Sequence, residues 1–167
     1  MSFDTPDEAA HSFAVAVQAT LACITDRDVT YAWAQPLNQS RAIVLNEGDE
    51  TPIGNGLYLS VSHTYAVRQV ASDAFAVSTG GYAYAIDSDD TGGEIYSWHW
   101  HPDGPSACTW PHAHVQQPLG DHFPTGRVAL EDVVRWLILE AHIDPIRPDW
   151  PDVLEANRAQ YNELRTW

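Results

Sequence analysis

The chain predicts an α+β fold: an antiparallel meander sheet preceded by one helix and followed by two. Three observations carry this. A capped, helix-periodic segment opens the chain, a long central region alternates with the period of strands, and helical periodicity returns beyond residue 128. At 167 residues there is enough chain for one domain with a substantial core and too little for two ordinary ones, so 1–167 reads as a single α+β domain.

The first helix is expected over about residues 6–25. Thr5 stands as its N-cap, Pro6 at its first position, and Glu8 three residues after the cap completes a capping box. Ala10, Phe13, Ala14, Val17, Leu21 and Ile24 then recur at helical spacing. Strands are expected at 29–34, 41–45, 57–63, 66–71, 74–79 and 82–87, with Gly80-Gly81 as a tight hairpin turn between the last two. The acidic segment 87–93 faintly resembles a calcium loop, but Thr91 replaces an expected ligand and no Glu closes it, so it reads as a solvated turn. Leu130, Val133, Val134, Leu137, Ile138 and Ala141 form the stripe of a second helix, with Glu131 and Asp132 at its N-terminal end. A third helix starts near Asp149-Trp-Pro-Asp152 and runs to about Leu164.

Four histidines fall within sixteen residues as two His-x-His pairs, His99/His101 and His112/His114. Alternate residues of a strand point to one face, roughly 6–7 Å apart, so each pair offers two imidazoles side by side. If 102–111 is the loop of an antiparallel hairpin between strands 94–101 and 109–116, His101 faces His112 and His99 faces His114. The same register sets Trp100 against Ala113, Trp98 against Val115 and Ser97 against Gln116, leaving one face apolar and the other polar. Such a cluster suits a metal site, with zinc, nickel or copper as the ions imidazole prefers, or an acid–base pair; a plain solvated face is the alternative. Without metal, mutual repulsion should hold these rings below the usual ~6.5.

Composition narrows the rest. The 23 acidic residues against 8 cations, all of them Arg, give a formal charge of −15, which opposes non-specific nucleic-acid binding. No apolar run approaches a membrane span and the N-terminus is acidic, so no membrane partner is expected and the location reads as cytoplasmic. Cys23, in the first helix, and Cys108, in the hairpin loop, lack Cys-x-x-Cys spacing, which argues against a disulfide framework; Cys108 is a candidate fifth polar group beside the histidines. His11, His63 and His142 have no partner motif and read as structural or solvent-facing, and most of the Trp and Tyr should be buried. His122 and Arg127 precede a helix N-terminus, where backbone N–H groups favour an anion, making them candidate substrate-binding residues; the alternative pairs Arg127 with Asp121 or Glu131. The oligomeric state is not legible.

The strand-borne histidines, the Pro111-His-Ala-His114 segment and the His-x-Pro-Thr-x-Arg-Val-x-Leu-Glu-Asp pattern from His122 to Asp132 together resemble the TumE-type proteins of bacterial toxin–antitoxin operons, over roughly residues 55–141. The resemblance implies a toxin with ribonuclease-like activity on RNA, neutralised by a cognate antitoxin, with His99, His101, His112 and His114 as the catalytic residues. Two readings compete with it: a non-catalytic metal-binding or protein-interaction module, and a cupin-like metalloenzyme. The last rests on Gly93-x5-His99-x-His101, half of the cupin metal motif, with neither the following Glu nor the second-motif His in place.

Overall fold

The computed structural model describes residues 2–32, 36–105, 108–115 and 122–164. It shows the expected α+β order. Helix α1 (Pro6–Leu21) comes first, then the strands β1 (Val29–Tyr31), β2 (Arg41–Leu45), β3 (Thr51–Gly54), β4 (Leu57–Ala71), β5 (Ala74–Ser88), β6 (Gly93–Trp100), β7 (His112–Val115) and β8 (Phe123–Pro124). Helices α2 (Leu130–Leu139) and α3 (Trp150–Leu164) follow. The strands form one antiparallel sheet in the order β1-β2-β4-β5-β6-β7-β8, with β3 also pairing β4.

The capping box forms as read: the Glu8 N–H donates to Thr5 Oγ1 at 3.2 Å and the Thr5 N–H to Glu8 Oε2 at 3.1 Å. The helix ends earlier than expected, at Leu21, so Cys23 lies buried in the turn that follows it.

The centre of the sheet corrects the sequence reading. The segments 57–63 and 66–71 are one strand, as are 74–79 and 82–87, and the hairpin turn is Ser72-Asp73 rather than Gly80-Gly81. The two glycines instead lie inside β5, where the register shifts between Thr64 and Tyr65: Thr64 faces Gly81, Tyr65 faces Thr79, and Gly80 is the extra residue. A Cβ on Gly81 would come within 2.6 Å of the Trp100 carbonyl oxygen, so the close approach of β6 requires a residue without one.

The bulge switches the inward positions of β5 from odd, as at Val77, to even, so that both halves of the strand share the face that β4 presents without interruption. Leu59, Val61, His63, Tyr65 and Val67 of β4 and Tyr82, Tyr84 and Ile86 of β5 are buried toward the core. Trp98 and Trp100 of β6 extend the same apolar face, and α1 and α2 cover it with Phe13, Val17, Leu130, Val134 and Leu137. Trp136 of α2 meets Trp98 edge-on at 5.8 Å between ring centroids. Helix α3 is tied back by Asn157, which donates to the Ala16 carbonyl and to Thr20 Oγ1, and by Arg158, 2.8 Å from Asp132. Among the described residues, no helix is long and apolar enough to cross a membrane.

Candidate metal centre

The opposite face of the sheet is built of small and polar residues until it reaches β6 and β7. There the strand period that sends Trp98 and Trp100 into the core sets Ser97 and His99 on the opposite face, Ser97 fully buried there, and His101 follows directly after the strand. The observed register is Tyr96 to Val115, Ser97 to His114, Trp98 to Ala113 and His99 to His112. It differs by two residues from the expected one: His99 faces His112 rather than His114, and Ser97 faces His114. The expected partner of Ser97, Gln116, lies outside the described residues. An even shift preserves facing, so the four histidines still share a side although each pair is offset.

Ring centroids lie 4.7 Å apart for His99 and His114, 5.6 Å for His99 and His112, and 5.1 Å for both His112/His114 and His101/His112. Two further residues join them. Strand β8 pairs β7 with His112 opposite Pro124, and extending that register sets His122 opposite His114; its ring lies 4.7 Å from His114 and 4.8 Å from His112. Cys108, buried in the loop, brings its Sγ to 3.2 Å from His112 Nδ1.

The structure thus places His122 within the histidine cluster. Arg127, expected to share an anion site with it, stacks 3.5 Å over the Trp100 ring instead. His63 is buried in the core beside the Tyr84 hydroxyl, while His11 and His142 are exposed, all three apart from the cluster. Two contributors were missed or undervalued in the sequence. The two-residue β8 is too short to read as a strand, and a loop thiol gains meaning only from the fold that folds it back.

His112 is the centre of the group. It is fully buried, and its Nδ1 lies 2.8 Å from the Trp110 carbonyl oxygen, an acceptor that fixes the proton on Nδ1 and leaves Nε2 as the lone-pair nitrogen. Among the described residues, that Nε2 has no hydrogen-bond partner, nor do the buried Nε2 of His114 and Nδ1 of His101. Burial holds the His99 ring down at about 4, with His114 lowering it further and Glu94, whose Oε1 accepts a hydrogen bond from Ser97 at 2.8 Å, raising it. His112 is lowered as well, again by burial first, against the raising effect of the Trp110 carbonyl. The depression expected from repulsion is therefore present in these two rings, but desolvation is its larger cause.

Among the described residues, two sets of donor atoms, each within 4.8 Å of one another, could hold a metal ion: His99, His112 and His114, and Cys108, His112 and His122. His101 belongs to neither set; its ring centroid lies 6.1 Å from that of His99. No family model, curated protein or solved structure matches the chain.

Proposed function

We propose that the protein binds a transition-metal ion through His99, His112 and His114. The observation that carries this reading is His112: a fully buried ring whose Nδ1 is held by a carbonyl and whose Nε2 has no partner among the described residues. A buried polar atom left unpaired costs about 1–3 kcal/mol, and two such nitrogens in this donor set, Nε2 of His112 and Nε2 of His114, are a standing cost that an ion offsets. A backbone carbonyl on the other ring nitrogen, as Trp110 supplies here, is also the usual second partner of a metal-ligating histidine.

Imidazole donors favour zinc, nickel or copper, whereas magnesium and calcium favour oxygen. Two imidazole nitrogens on one tetrahedral ion stand about 3.3 Å apart, so the donor set must close by an ångström or so from its present limit of 4.8 Å. Three protein ligands leave a coordination position for water or a ligand.

The ribonuclease reading implied by the TumE-type resemblance uses the same rings as a general acid and a general base. Burial lowers both His99, to about 4, and His112, which suits these two rings to a base or ligand role. The metal reading is favoured by geometry: the buried His112 Nε2 stands in a set of donor atoms that lie within 4.8 Å of one another.

The test is elemental analysis of protein purified without a His tag, followed by zinc calorimetry on wild type and His112→Ala. Wild type should bind one ion or more and the variant none. Metal-free protein that also ignores added zinc overturns the reading, and RNA cleavage that persists in chelator would favour the acid–base alternative.

A further inference from the structure

The two donor sets share only one residue, and that residue has two ring nitrogens. His112 Nδ1 lies 3.2 Å from Cys108 Sγ, close to the roughly 3.5 Å that separates a sulfur and a nitrogen bound to one tetrahedral ion. His112 Nε2, on the other side of the ring, is buried and has no hydrogen-bond partner among the described residues, and the His99 and His114 rings are its neighbours. His122 closes the sulfur side, its ring 4.8 Å from His112, and it is exposed, so this side opens to solvent.

From this geometry we infer that Cys108, His112 and His122 form a second, thiolate-bearing metal position, and that the His112 ring bridges it to the three-histidine position. The inference rests on the metal reading above and adds a second ion to it. Filling both positions requires Cys108 as thiolate and His112 as imidazolate. Both protons leave to solvent, and the one on Nδ1 gives up its hydrogen bond to the Trp110 carbonyl. Two divalent ions bring four positive charges against two on these ligands, and the remainder sits in a chain of formal charge −15. The sulfur also distinguishes the positions: thiolate favours softer ions, so the second position should prefer zinc or copper(I) over nickel.

The experiment is an anaerobic cobalt(II) titration of the full chain, tag removed, followed by absorption. Wild type should take up two equivalents, with a near-ultraviolet thiolate-to-cobalt band belonging to one of them. Cys108→Ser should lose that band and one equivalent while keeping the other, and His122→Ala should weaken the band without touching the ion of the three-histidine position. His112→Ala should lose both, with circular dichroism confirming that it folds. Saturation at one equivalent carrying the thiolate band would place Cys108 in a single mixed site and overturn the inference while leaving the metal reading intact. Two equivalents without the band would overturn it equally. No uptake at all would overturn both.

Discussion

Metal-free protein should lose stability steeply below neutral pH, and much of the loss should trace to His99. Its folded-state value of about 4 lies below the ordinary 6.5 of an unfolded histidine, so protonation favours the unfolded chain. The contribution is therefore complete above about pH 6.5 and is lost as pH falls toward 4. At pH 5 the unfolded ring is almost fully protonated and the folded one about a tenth protonated, which amounts to at most about 2 kcal/mol relative to pH 7.5, reduced by the solvent screening of a half-buried ring. For a domain of this size that is a fall in melting temperature of about 4–8 °C. His112 is shifted in the same direction and adds to it. Because other groups titrate over this range, the measurement is a double difference: thermal or urea unfolding of wild type and His99→Gln in chelator, each at pH 7.5 and pH 5. Wild type should show the extra loss and the variant should lack it. Parallel pH dependence in the two proteins would refute the argument that burial of this ring, against its neighbours, depresses its affinity for protons.

Gly81→Ala should lower stability by about 1–3 kcal/mol, seen as a lower urea midpoint, because the new methyl meets backbone rather than a movable side chain at 2.6 Å. Thr5→Ala should cost about 1 kcal/mol by removing one half of the capping box, with no change in metal uptake. Arg127→Gln should reduce the melting temperature through loss of the stacking on Trp100, an effect of about 0.5–2 kcal/mol, while zinc affinity stays as in wild type.

How far the sequence could be read depended on the range of the interaction concerned. The capping box and the helical stripes rest on neighbours within one turn, and α1, α2 and α3 start where those local signals lie. Alternation of Trp98, Trp100 with His99, His101 needed only the strand period, so the division of faces was legible. The register was not, because a shift of two residues keeps every side chain on its face and costs the pattern nothing; loop closure and the β5–β6 pairing decide it. Gly80-Gly81 misled because the same freedom that suits a hairpin turn also suits a bulge with close backbone approach, and only the neighbouring strand distinguishes them. Cys108 and His122 reach the cluster through a loop return and a two-residue strand, contacts that no local periodicity encodes.

The position of the cluster also bears on the fold itself. Strands β7 and β8, of four and two residues, are shorter than an ordinary strand and close the sheet at one edge, where pairing alone stabilises weakly. On the core side of β6 and β7, Trp98, Trp100 and Ala113 belong to the apolar core beneath α1 and α2. On the other side, one strand further out at each step, stand His99 of β6, His112 and His114 of β7, and His122 against β8. On the proposed reading, an ion held by these rings cross-links the outer strands to the part of the sheet that the core already holds, and the free energy of binding becomes stability of that edge. The alternation of Trp and His along β6 thus couples the two faces: the aromatic rings fix the strand that presents the ligands, and the ligands tie down the strands that the aromatic rings do not reach.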